Sequence, residues 1–165
     1  MDRHELVIEI DAAFSNVELE DGIGVYEAEA LDNYASKNEL AIAKAKDRES
    51  WMSWRDIPEN VIGQFHTALC FVDAKGMMFL LPAYMRFSLE HFDTSDSASV
   101  DSAIYALDQD FDGFFGGRNV FSKDQRTVIA KFLRYMVIQA GDQWVDALVA
   151  SRAYENHWAK YDAEA

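Results

Sequence analysis

Residues able to do chemistry are few in this chain, and they fall into three groups. The run Asp108-Gln109-Asp110-Phe111-Asp112-Gly113 has the D-x-D-x-D-G opening of a calcium loop. Alternate carboxylates at Asp108, Asp110 and Asp112 would turn oxygens toward one hard cation, and Gly113 would supply the sharp bend. Downstream the pattern fails, with Gly116 at the ninth position and Asn119 at the twelfth, where a bidentate carboxylate belongs. Any calcium held here is held weakly, and an acidic glycine-bearing loop without a ligand is the plainer reading. Calcium is the one cofactor these residues suggest; otherwise none is implied.

Histidine is the second group. His91 stands among Glu90, Phe92 and Asp93 at the expected end of a helix. An imidazole between carboxylates suits proton transfer, although a solvated helix terminus explains it without catalysis. His4-Glu5 begins like a zinc-protease helix, but Ile8 occupies the place of the second histidine. Cys70 is the only cysteine, so neither an internal disulfide nor a cysteine-based zinc site can form. It lies in the apolar run Leu69-Cys70-Phe71-Val72, as an inert buried thiol would. No nucleophile elbow, phosphate-binding glycine loop or dinucleotide fingerprint occurs. A hydrolytic or metal-binding enzyme working through the Asp108–Asp112 loop or His91 is therefore the lesser expectation.

The third group is suited to recognition. Trp51, Trp54, Arg55, Tyr84 and Arg86, with His91 nearby, are of the types that anchor protein interfaces. The charge balance agrees: 29 acidic residues against 15 basic ones give a formal −14. Such a field repels a phosphate backbone, which excludes nucleic acid as the expected partner. It draws in a basic protein and speeds encounter with it. The plainer reading of the same charge is solubility.

These groups need a scaffold, and its elements can be read from spacing. Leu6, Ile10, Ala13, Phe14 and Val17 recur at three- and four-residue steps, predicting an opening helix from Arg3 to about Val17. Further helices are expected from Val25, from the capping box Ser36-Lys37-Asn38-Glu39 to about Asp47, and from Pro58 to about Ala68. Two apolar runs, Leu69–Val72 and Met77–Leu81, flank Asp73-Ala74-Lys75-Gly76, which reads as a hairpin turn. Both strands are apolar throughout, so helices should cover both faces. Pro82 then opens a helix to about Phe92, and Asp93–Ser102 reads as a polar, flexible connection. A short helix carrying Ile104 and Leu107 and an irregular Asp108–Val120 loop follow. Ser122-Lys123-Asp124-Gln125 caps a helix bearing Val128, Ile129, Phe132, Leu133 and Met136. Gly141 ends it, Asp142 caps the next, and Trp144, Ala147, Ser151, Tyr154, Trp158 and Tyr161 form the last stripe.

The expected fold is α+β and predominantly helical: six to seven helices packed around one two-stranded antiparallel β-hairpin, in a single domain over residues 1–165. No apolar run approaches the roughly 20 residues needed to span a bilayer. Acids interrupt the start too early for a secretion signal. A cytoplasmic location without membrane contact follows as an expectation; the oligomeric state is not legible.

Ala68–Gly76, then Leu81-Pro82-Ala83-Tyr84, then the Ser122–Gln125 helix opening with Phe132-Leu133, resemble a family of uncharacterised bacterial proteins. The resemblance covers about Trp54 to Met136, and Leu81–Tyr84 is its most specific piece. Met77 and Met78 depart from it. It implies a bacterial cytosolic domain and assigns no catalytic residue. The leading expectation is a non-enzymatic acidic binding protein for a basic partner, with a toxin-neutralising immunity protein as one concrete form.

Overall fold

The structure, a computed structural model, describes residues 2–141 and 143–162. Among them the chain forms nine α-helices and no strand. They are α1 (Arg3–Ala13), α2 (Val25–Asp32), α3 (Lys37–Ser50), α4 (Glu59–Gln64), α5 (Ala74–His91), α6 (Ser99–Leu107), α7 (Phe111–Phe115), α8 (Lys123–Tyr135) and α9 (Ala147–Ala153). Short 3-10 turns lie at Trp54–Asp56, Ala68–Cys70, Arg118–Val120 and Ala159–Tyr161. π-helical turns at Met136–Ala140 and Tyr154–Trp158 prolong α8 and α9. No described helix is long and apolar enough to cross a membrane.

The expected α+β fold is thus corrected to an all-helical one, and the antiparallel hairpin at Leu69–Leu81 does not exist. Its first strand is the 3-10 turn Ala68–Cys70, and its second is the first half of α5. The supposed turn is a helix start: the Asp73 carboxylate accepts from the Gly76 N–H at 2.8 Å and from the Ile23 N–H at 3.0 Å. Gly76 is required for closeness rather than for a positive φ, because an added Cβ would sit 2.2 Å from the Ile23 carbonyl. Pro82 lies inside α5, where it removes only the N–H that would meet the Met78 carbonyl.

Continuous apolar sequence marks an element buried on all sides, and α5 is that element: 12 of its 18 residues are buried. It packs against α1, α4 and α6. Tyr84 is fully buried on it, and its hydroxyl donates to the Phe65 carbonyl at 2.5 Å. Burial pushes the Tyr84 phenol far above its usual range.

Capping boxes open α3 and α8 where the spacing places them. Ser36 N–H meets Glu39 Oε2 at 2.8 Å, and Ser122 N–H meets Gln125 Oε1 at 2.9 Å. Helix α2 begins at Gly24, which has no side chain to cap it, and Asp47 of α3 does so from a distance. Its carboxylate accepts from the Tyr26 and Glu27 N–H groups at 3.0 and 2.9 Å. Asp142, the expected cap of the last helix, lies outside the described residues; Asp146 Oδ1 accepts from the Val149 N–H at 3.1 Å and caps α9.

The polar connection Asp93–Ser102 becomes helical at Ser99, and its serines are engaged. Ser97, Ser99 and Ser102 hydroxyls donate to the carbonyls of Gly63, Ile62 and His66 at 2.6, 2.7 and 2.7 Å. A helix of six residues leaves its last carbonyls without intrahelical partners. These three bonds satisfy the chain around the end of α4 and pin it to the start of α6.

Candidate functional site

A hollow lies between the Trp54–Asp56 turn with α4 on one side and the second half of α5 on the other. It encloses about 380 Å³. The turn is built locally. Asp56 Oδ2 accepts from the Met52 and Ser53 N–H groups at 3.1 and 2.8 Å, and Ser53 Oγ accepts from the Arg55 N–H at 3.3 Å. The Trp54 ring is buried, with its Nε1–H donating to the Phe14 carbonyl at 3.0 Å, which moors the turn to the end of α1. Pro58 then starts α4, and Tyr84 and the serines hold that helix in place.

Ile57, Pro58, Ile62, Ala83 and Phe87 give the cleft an apolar lining. Charges cross it in a chain. Asp11 Oδ1 stands 3.7 Å from Arg55 Nε and 4.0 Å from Arg86 Nη1, and Arg86 Nε meets Glu90 Oε1 at 3.0 Å. The Arg55 guanidinium also donates to the Asp11 carbonyl and lies 4.6 Å from the Trp54 ring centroid. Asp11 Oδ1 is shielded from solvent yet accepts no hydrogen bond from either arginine. The pairs are about one-third exposed, so each contributes only about 0.2–1 kcal/mol. Arg55 and Arg86 can therefore exchange partners at little cost.

Glu59 stands at the rim with its side chain 64% exposed, and its Oε2 lies 3.0 Å from His91 Nε2. The His91 ring packs on Phe87 at 4.7 Å between centroids. A second hollow, lined by Asn60, Gly63, Thr94 and Ser97 among others, lies on the other side of Glu59. Next to the cleft Met52 is 90% exposed.

Of the residues singled out for recognition, Trp54, Arg55 and Arg86 meet in this cleft, and His91 joins it through Glu59. Trp51 stacks on Tyr26 of α2 at 5.7 Å and Tyr84 faces the core, so neither lines the cleft. Asp11 and Glu59 complete the cluster, and neither carries a local signal in the sequence, since they arrive from α1 and α4.

The Asp108–Asp112 carboxylates are drawn to separate tasks. Asp108 takes both oxygens to Arg152, with Nε 3.1 Å from each. Asp110 Oδ1 accepts from the Asp112 and Gly113 N–H groups at 3.1 and 3.2 Å, capping α7. Asp112 is exposed, 3.9 Å from Arg118 Nη1. Aspartates at this spacing serve a helix start as readily as a cation, because both uses need a short acceptor next to free backbone N–H groups or charge. Cys70 sits in the 3-10 turn ahead of α5 and is exposed there, not buried as its apolar run suggests; partial desolvation and then the Asp32 charge still push its thiol up, away from the reactive thiolate.

Behind α7, the Arg118 guanidinium meets His157 Nδ1 at 2.8 Å, which requires that nitrogen to be the acceptor of a neutral ring. Burial first, and then the Arg118 charge, push the His157 pKa down.

Comparison with known proteins gives one assignment. No curated protein and no solved structure matches this sequence. A family match runs over residues 2–162, wider than the resemblance read from the central motifs, and the chain belongs to that family: DUF6714, a family of unknown function.

Proposed function

We propose that this is a non-enzymatic, cytoplasmic binding protein that takes a basic protein partner at the cleft between α4 and α5. The observation that carries the reading is one juxtaposition. An apolar lining of Ile57, Ile62 and Phe87 lies beside the Glu59 and Glu90 carboxylates, on a chain of net charge −14. A lysine or arginine from a partner would lay its aliphatic stem on Phe87 and Ile62 and bring its charge to Glu59 and Glu90. The exposed Met52 beside the cleft adds an adaptable apolar contact. The overall negative field steers such a partner in, and the apolar lining holds it. Neutralisation of a basic toxin is one concrete form.

Affinity capture tests this. The immobilised chain should retain a protein of net positive charge at low salt and release it as salt rises. Glu59→Lys, at an exposed position, should retain none while folding normally. Equal retention by wild type and variant, or capture of proteins without net positive charge, refutes the cleft reading. The immunity form further requires that the captured protein be toxic when expressed alone.

A further inference from the structure

Within the described residues, one group of three potential metal ligands brings its donor atoms within 4.8 Å of one another: Glu59, Glu90 and His91. We propose that these three side chains bind a divalent transition-metal ion, with zinc the ion that suits them best. One imidazole nitrogen and two carboxylates are a zinc-type donor set that leaves a position open. Carboxylates alone would not favour such an ion over calcium or magnesium; the imidazole does.

The second observation is the state of the histidine nitrogen. His91 Nε2 is sealed from solvent and, although 3.0 Å from Glu59 Oε2, is not aligned to hydrogen-bond with it or with anything else. The nitrogen is shielded although the His91 side chain as a whole is 27% exposed, and the carboxylate beside it is too poorly aligned to satisfy it by a hydrogen bond. A bound cation would satisfy it and remove the repulsion between Glu59 and Glu90. The surroundings hold the ligands in place. Phe87 packs against the imidazole, and Arg86 Nε meets Glu90 Oε1 at 3.0 Å and fixes that carboxylate. The Arg86 charge opposes a cation, but Asp11, 4.0 Å from its Nη1, partly offsets it. Glu59 comes from the first turn of α4 and the other two from the last turn of α5, so the ion would staple these helices. The site needs no partner protein and does not rest on the binding role proposed above; because zinc would take the same Glu59 and Glu90 carboxylates, the ion and a basic partner would compete for them.

The full-length chain titrated with zinc chloride tests this by calorimetry, by thermal melting and by long-range ¹H–¹⁵N spectra of the histidine rings. One equivalent of zinc should bind, raise the Tm and shift the His91 Nε2 resonance, leaving His4, His66 and His157 unmoved. His91→Ala and Glu59→Gln should each weaken zinc binding by about tenfold or more. The ring spectra of the unmodified chain decide the matter even where a variant folds poorly. Absence of zinc binding, or binding that shifts another histidine, overturns the proposal. So does zinc affinity unchanged in folded His91→Ala and Glu59→Gln variants.

Discussion

Replacing Asp47 by alanine should unfasten α2 from α3. The carboxylate is fully buried and is the only cap of the α2 start, since Gly24 contributes no side chain. Its loss leaves the Tyr26 and Glu27 N–H groups without acceptors. Each orphaned buried N–H costs about 1–3 kcal/mol. Relief of a desolvated charge offsets part of that, so the net loss should be about 3 kcal/mol. For a chain of this size such a loss lowers Tm by about 6–12 °C. Asp47→Asn keeps the shape and one strong acceptor without the charge, and should recover most of the loss. Burial, outweighing the two N–H bonds, pushes the Asp47 pKa up. A carboxyl group raised on folding stabilises the native state most below its unfolded pKa, and that contribution fades as pH rises through the folded value. The gap between wild type and Asp47→Ala should therefore be widest in acid and narrow toward neutrality. Urea unfolding followed by far-ultraviolet circular dichroism at several pH values measures the free-energy losses and their pH dependence, and thermal melting measures the Tm shift. An Asp47→Ala variant within about 0.5 kcal/mol of wild type, the range of a neutral surface change, would refute the capping argument.

Two further perturbations probe the scaffold. Gly76→Ala puts a methyl group 2.2 Å from the Ile23 carbonyl, so it should cost roughly 2–4 kcal/mol in urea unfolding despite the higher helix propensity of alanine; a stabilised variant would show that the α1–α2 loop does not approach α5. His157 should titrate below the ordinary histidine value in nuclear magnetic resonance spectra. Because its folded pKa is lowered, the stability it contributes is complete above the unfolded value and is lost as pH falls through the folded one. Arg118→Ala should raise that pKa, and an unchanged value would contradict the Arg118–His157 contact.

Much of the scaffold is legible because its signals are local. The serine boxes at Ser36 and Ser122 and the stripes through Leu6–Phe14 and Val128–Leu133 each lie within a few turns of helix, and α1, α3 and α8 start where they indicate. The centre of the fold misleads for a physical reason. An apolar run with no polar face erases the period that separates a strand from a helix. Asp73-Ala74-Lys75-Gly76 fits both a hairpin turn and a helix cap, since an aspartate serves either by accepting from a nearby N–H. What distinguishes them is the Ile23 backbone pressed on Gly76, a contact more than 50 residues distant in sequence. Ambiguity of the same kind governs Asp108–Asp112, where spacing suggestive of a cation site becomes a cap for α7 and an ion pair with Arg152. At the cleft, Trp54, Arg55, Arg86 and His91 stand out by residue type. Asp11 and Glu59, which tie them into one charged network, join only through the packing of α1 and α4 against α5.

Site-specific photocross-linking from position 52 decides whether a basic protein docks at the cleft between α4 and α5. Met52 is 90% exposed beside the cleft, so a photoreactive residue there would reach whatever docks, while Ile42 on α3, 61% exposed, serves as the control position. Position 52 should give a discrete cross-link to a protein of net positive charge, abolished by Glu59→Lys and by high salt, and position 42 should give none. Equal cross-linking from both positions, or a product from position 52 indifferent to Glu59→Lys, would contradict docking at the cleft.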